Sequence, residues 1–264
     1  MEIKYEAGGV GVAESTPSTE PIRRPKAARG LGFARLHTRP SVDPLEEVQY
    51  ILRTSVITNP DGSVVFKMDN VEVPQEWSQL ATDILVSKYF RKRGVPGVGH
   101  ETSIKQVVHR IANTIRQAGE EFGGYFATAA DAEAFEAELK FFLIHQYGAF
   151  NSPVWFNCGL YHAYGIQSSG GNFAWDFSKN DLFETPDSYS RPQGSACFIQ
   201  SVDDDLMSIF ELAKNEARLF KFGSGTGTNF SRLRGRQEKL SGGGTSSGLM
   251  SFLEVLDRGA GATK

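Results

Sequence analysis

SACFIQSVDDDLMSIFELAKNEARLFKFGSGTGTNFSRLR, residues 195–234, holds the pattern that decides the fold. It opens on the small pair Ser195-Ala196 and the apolar run Cys197-Phe198-Ile199, which reads as a short buried strand. Asp204 or Asp205 can cap the helix that follows, because a carboxylate there accepts from the free N–H groups of the first turn. Leu206, Ile209, Phe210, Ala213, Ala217 and Phe220 keep helical spacing, and Gly223 ends the run. Asn229 to Arg234 reads as a second strand, and Met250 to Leu256 starts a further helix. Strand, helix, strand, helix predicts an α/β unit on a parallel sheet.

Working outward, the change of character falls at Phe150, where Val154-Trp155-Phe156 reads as another short strand. Residues 45–149 predict a mostly helical module that begins with a hairpin. Its strands are Leu52 to Thr58 and Val64 to Phe66, joined at Asn59-Pro60-Asp61-Gly62. Trp77, Leu80, Ala81 and Ile84 have helical spacing, followed by Lys88, Arg91, Lys92 and Arg93 and by Gly94 as C-cap. That cationic run suits the macrodipole of a helix C-terminus, a structural role favoured over a phosphate site. Ser103 and Gln106 form a capping box before the stripe Ile104, Val107, Val108, Ile111 and Ile115. Asp131 can cap a helix bearing Phe135, Leu139, Phe142 and Gln146. His109 and His145 lack partners at metal-ligand spacing and read as packing or surface residues. Residues 1–44, with five prolines, scattered basic residues and no periodicity, read as a disordered tail.

Composition narrows the function. The 264 residues are 40% hydrophobic and 22% charged, with net charge −3, which predicts a soluble globular protein without a broad nucleic-acid footprint. Two cysteines, Cys158 and Cys197, cannot make a disulfide framework and suit a reducing compartment. No apolar run reaches the ~20 residues of a membrane span, and the N-terminus lacks a signal pattern, so the expected location is the cytoplasm. Two glycine-rich segments stand out, 222–228 and 240–248. Neither matches a dinucleotide fingerprint or a P-loop. Each offers backbone N–H groups to an anion or sugar, and each is equally a tight turn or surface loop. Cys197, in a small-residue setting, is a thiol placed close to a ligand or a buried structural one.

Taken in order, Asn-Ser-Pro-Val-Trp-Phe-Asn (151–157), Ser-Ala-Cys-Phe-Ile (195–199), Gly-Ser-Gly-Thr-Gly (223–227), Phe-Ser-Arg-Leu-Arg (230–234) and Ser-Gly-Gly-Gly-Thr-Ser-Ser-Gly (241–248) resemble the catalytic chain of ribonucleotide reductases, best the adenosylcobalamin-dependent class. The resemblance covers roughly 45–264 and is strongest from Phe150. It implies an α/β fold: a helical N-terminal domain, then at 150–264 the first part of a ten-stranded α/β barrel. It implies reduction of ribonucleotides, as diphosphates or triphosphates, by thiyl-radical chemistry. Cys197 matches the first thiol of the reducing pair. Ser152, Ser195, Ala196, Cys197 and Gly225 match substrate contacts. Asp204 matches the acid that holds the ribose of a deoxynucleotide triphosphate effector, with Asp205 beside it, and Arg234 matches an arginine on effector phosphates. Position 241, often basic in the family, is Ser241, so Lys239 or Arg236 can take its place. Cys158 falls where the family has no redox cysteine and reads as packing.

The second redox thiol and the radical cysteine match no residue of this chain, so the resemblance implies the N-terminal part of a larger or split reductase that does not act alone. Implied partners are the C-terminal part, a thioredoxin-like reductant and further copies of the chain; adenosylcobalamin is the implied cofactor, and no protein metal site is expected. Two alternatives remain: a noncatalytic nucleotide-binding chain of a split reductase, and the large chain of a metal-radical class.

Overall fold

Local sequence rules account for most of the first module. The computed structural model describes residues 30–263. Strands β1 (Tyr50–Thr58) and β2 (Val64–Pro74) form an antiparallel hairpin whose turn is closed by Gly62 N–H donating to the Asn59 carbonyl (2.9 Å) and Ser63 N–H donating to the Asp61 carboxylate (2.9 Å). Helix α1 (Gln79–Ile84) is capped by Ser78 and runs into a wide turn at Leu85–Tyr89. Phe90 is extended, so the helix ends there and not at Gly94, which occupies a left-handed loop position. In the cationic run, Lys92 donates to the Val86 carbonyl and lies 4.7 Å from the Phe66 ring centroid, a structural use of the charge.

Helix α2 (Ile104–Phe122) carries the predicted capping box at Ser103 and Gln106. Helix α3 (Ala129–Ile144) is capped by Thr128, three residues before the predicted cap. Asp131 instead sits inside the first turn, where its carboxylate accepts from the Thr128 hydroxyl (2.6 Å) and from Phe33 N–H (2.8 Å). Ile104, Val107, Val108 and Ile111 pack with Val71, Val73, Leu143 and Ile144 into the first core. Each such side chain, fully buried, contributes about 1.5–3 kcal/mol.

The tail predicted for residues 1–44 needs correction where the chain is described; Arg23, Arg24, Lys26 and Arg29 lie outside the described residues. From Gly30 the chain lies on α2 and α3. Leu31 bridges to Phe126, and Phe33 meets the rings of Phe126 and Phe135 edge-on. Glu138 accepts from the backbone N–H groups of Leu36, His37 and Thr38. Proline content hid this strap because its order comes from the half-buried Phe33 ring and the Glu138 carboxylate, not from periodicity.

Two strand predictions also change. Residues 152–157 form a short helix, α4 (Ser152–Asn157), followed by α5 (Leu160–Tyr164). Pro153 in the first turn suits a helix start, and Trp155 folds back to donate to the Phe150 carbonyl (2.9 Å). A small hairpin, β3 (Phe173–Asp176) with β4 (Asp181–Glu184), follows. Then β5 (Cys197–Ser201), α6 (Leu206–Lys221) and β6 (Gly225–Asn229) make the predicted parallel unit. The second strand lies earlier than expected, and Phe230 to Arg234 is turn, started by the Asn229 side chain accepting from Ser231 N–H (3.0 Å). Helix α7 (Leu249–Ala262) packs on α6 through Leu256 against Ile209, Leu212 and Val202. Among the described residues no further strand pairs with β5 or β6, so the ten-stranded barrel is not closed here.

Candidate functional site

The register of β5 and β6 assembles the site. Cys197 lies opposite Gly225 and Ile199 opposite Gly227. Alternation puts Cys197, Ile199, Gly225 and Gly227 on one exposed face, while Phe198, Gln200, Thr226 and Thr228 on the other are half-buried. Ile199 is 87% exposed, unusual for a strand of a parallel sheet. A Cβ at Gly225 would meet only the Ala196 carbonyl at 3.6 Å, so this glycine is not required by packing and leaves room beside the thiol.

The turn between α6 and β6 is tied to the strand that carries the thiol. Ser224 donates to the Ser195 carbonyl (2.7 Å) and Gly225 N–H to the Ala196 carbonyl (2.5 Å). The structure thus joins Ser195, Ala196, Cys197 and Gly225. Ser152 stands apart, at the start of α4, its hydroxyl 3.1 Å from the Tyr89 hydroxyl. The far end of α4 reaches the glycine turn: Asn157 donates to the Phe222 carbonyl (3.2 Å), and Phe156 fills the space where a side chain at Gly223 would stand.

At the α6 N-terminus, Asp205 is the cap and accepts from Ser208 N–H (3.0 Å). Asp204 does not cap; it pairs with Arg234, whose Nε lies 2.5 Å from one carboxylate oxygen and whose N–H donates to the other (3.2 Å). That guanidinium holds the Asp204 carboxyl below the usual carboxylate range. Asp203 makes a parallel pair with Arg232 (2.6 Å). Lys239 and Ser241 lie on the following loop, both exposed, with Lys239 bridged to Thr245.

The two cysteines differ. Cys197 is exposed and Cys158 buried, and burial pushes the Cys158 thiol up to about 11. Because the thiolate is the nucleophile, iodoacetamide at pH 8 is expected to modify Cys197 alone in the folded chain, with Cys158 reacting only after denaturation. Peptide mass mapping checks this, and early alkylation of Cys158 would contradict it.

Sequence reasoning missed three residues that organise the site: Tyr89, Arg110 and Asn157. Arg110 carried a readable signal, a charge flanked by the buried positions Val107, Val108 and Ile111. Tyr89 and Asn157 carried none, since their roles depend on contacts across 63 and 65 residues.

Comparison with known proteins identifies the family. A family model described as class II vitamin B12-dependent ribonucleotide reductase matches residues 51–146. A second, described as the ribonucleotide reductase barrel domain, matches residues 195–264 and so contains β5, α6 and β6. The chain is 48% identical to a vitamin B12-dependent ribonucleotide reductase of Bradyrhizobium diazoefficiens, over 89% of this chain and 22% of that protein. It is 46% identical to one of Agrobacterium fabrum, over 89% and 21%, and 47% identical to one of Rhodopirellula baltica, over 84% and 21%. The chain therefore spans about a fifth of the length of these relatives. Their names specify vitamin B12, which separates them from the metal-radical alternative. On these matches, together with the thiol strand and its glycine partner, the chain belongs to the vitamin B12-dependent, class II ribonucleotide reductase family.

Proposed function

We propose that this chain supplies one redox thiol, part of the substrate site and the effector site of a ribonucleotide reductase. The observation that carries this reading is Cys197 abreast of Gly225 on an open sheet face. A ribose laid on that face would meet the thiol with no side chain opposite. Replacing the 2′-hydroxyl by hydrogen takes two electrons: two thiols become a disulfide, and the hydroxyl leaves as water after protonation. Cys197 would be one of those thiols, with its partner on the C-terminal part of the enzyme. Ser195, Ala196 and Gly225 would hold the nucleotide, with Ser152 contributing from α4. Strands β5 and β6 would be the first two of the ten-stranded barrel.

Adenosylcobalamin is the proposed cofactor of the complete enzyme, and we assign none of the described residues to its site. A cavity of about 420 Å³ between α2, α4 and the 190–194 loop is far too small for a corrin. No group of three His, Cys, Asp or Glu residues converges among the described residues. We therefore assign this chain no cofactor step. Diphosphate substrates are favoured by a Thermoplasma acidophilum relative, 46% identical over 66 residues, named a ribonucleoside-diphosphate reductase. Other proposed partners are a thioredoxin-like reductant and further copies of the chain. Among the described residues no helix is long and apolar enough to cross a membrane. Deoxyribonucleotide formation by the complete enzyme, dependent on added adenosylcobalamin and a dithiol, tests the reading; no product under those conditions would overturn it.

The effector reading has its own test. Asp204 and Arg234 would hold the ribose and a phosphate of a deoxynucleotide triphosphate, with Lys239 and Ser241 on the adjoining loop. Without ligand they bond to each other, so the effector must displace that bond. Because the Asp204 pKa is depressed, the pair persists at neutral pH and is lost only as pH falls through the lowered value. Asp204→Asn frees Arg234 while removing the charged ribose acceptor. Inorganic tripolyphosphate should then bind several-fold tighter and the deoxynucleotide about tenfold weaker, the size of one hydrogen bond to a charged group. Isothermal calorimetry reads both, and parallel weakening of the two ligands would sink this assignment.

A further inference from the structure

Arg110 lies in the middle of α2, buried with Glu101: both side chains are 0% exposed and 2.7 Å apart. Its guanidinium also donates to the carbonyls of Cys158 (2.5 Å), Trp155 (2.9 Å) and Tyr89 (3.4 Å). Glu101 in turn accepts from Arg91 N–H (2.7 Å) and from the Tyr164 hydroxyl (2.8 Å). Two of the carbonyls that Arg110 holds end α4, so the pair grips that helix by its C-terminal end. The next residue, Gly159, sits so close that a Cβ would fall 2.5 Å from the Arg110 carbonyl oxygen.

We propose that the Glu101–Arg110 pair is the positioning centre of the candidate substrate site. It fixes α4, and α4 sets Ser152 relative to the thiol strand through Asn157 and the Phe222–Gly223 turn. Every link is a contact described above. Arg110 holds the carbonyls of Trp155 and Cys158, Asn157 donates to Phe222, and Phe156 packs on Gly223. From there Ser224 donates to Ser195, the residue two before Cys197. At the other end of α4 the Tyr89 hydroxyl meets Ser152, and the Tyr89 carbonyl is a further acceptor for Arg110. Both parts of the site are thereby referred to one guanidinium. Buried ion pairs contribute little net stability compared with apolar packing, but a fork of fixed donors fixes the carbonyls it meets in place.

The inference rests on Ser152 and Ser195 being substrate contacts, and the test separates the two claims. Ser152→Ala, Asn157→Leu and Arg110→Lys are made in the complete enzyme. Asn157→Leu keeps the number and branching of side-chain heavy atoms and removes the donor to Phe222. Arg110→Lys keeps the charge and loses the fork. Thermal unfolding identifies the variants that fold, and either of the last two suffices. The expected result is a rise of roughly tenfold in KM for the ribonucleotide with kcat within about twofold, as for a small misplacement of binding groups. The double variant Ser152→Ala/Asn157→Leu should then raise KM no further than the larger single effect, because Ser152 acts only when positioned. An unchanged KM in a folded positioning variant, or a fully additive double variant, overturns the inference while leaving the substrate reading intact. An unchanged KM in Ser152→Ala overturns the substrate reading and the inference with it.

Discussion

Replacing Arg110 by methionine is expected to cost the chain about 3–5 kcal/mol, the range for removing one partner of a buried ion pair. The loss has two sources. Glu101 is left as a buried carboxylate without its countercharge, although Arg91 N–H and the Tyr164 hydroxyl still reach it. The buried carbonyls of Trp155 and Cys158 lose their donors. Pairing the change with Glu101→Leu should recover a substantial part, since the unpaired charge then disappears. The recovery stays incomplete because the Tyr164 hydroxyl and Arg91 N–H lose their acceptor. Urea unfolding of the two single variants and the double variant measures this. A single variant within about 1 kcal/mol of the parent would show that the pair is not the keystone of this module.

Cys197→Ser should abolish deoxyribonucleotide formation, by at least about 10³-fold, in the complete enzyme. Serine can still hydrogen-bond to a ribose, but it cannot join a disulfide, so the two electrons of each turnover have no source. Cys158 cannot stand in: it is buried, its thiol is pushed up to about 11, and its carbonyl is held by Arg110. Cys158→Ser should leave turnover within a few-fold and act through stability alone. Nucleotide binding to Cys197→Ser should persist, separating loss of chemistry from loss of the site. Sustained product formation by Cys197→Ser would assign the reducing thiol elsewhere.

Much of this was legible where the physics is local. The β1–β2 turn, the Ser103–Gln106 capping box and the α6 stripe follow from residues close in sequence, and each forms as read. Misreadings arise where tertiary contacts override propensity. Val154-Trp155-Phe156 is β-favouring by composition, but Pro153 starts a helix and Arg110 donates to the carbonyls of Trp155 and Cys158 at its end. Phe230 to Arg234 has strand composition, but Asn229 turns the chain and Asp204 captures Arg234. The β3–β4 hairpin and the strap at residues 30–43 carried no periodic signal. For the candidate site, the sequence motifs named Cys197, Gly225, Asp204 and Arg234. They could not say that Cys197 and Gly225 are directly opposite, that Asp204 and Arg234 are bonded to each other, or that α4 is held by a buried charge.

The parallel pairing of β5 with β6 also bears on how the chain is made. The β1–β2 hairpin joins neighbours in sequence and can close within microseconds of its synthesis. Cys197 and Gly225 come abreast only after α6 has formed and crossed over, because parallel strands need such a connection. Contacts of this span form late, and synthesis proceeds at about 5–20 residues per second. For on the order of seconds, then, the nascent chain carries an open thiol before its strand has a partner. A reducing compartment would keep that thiol reduced while its strand waits for a partner.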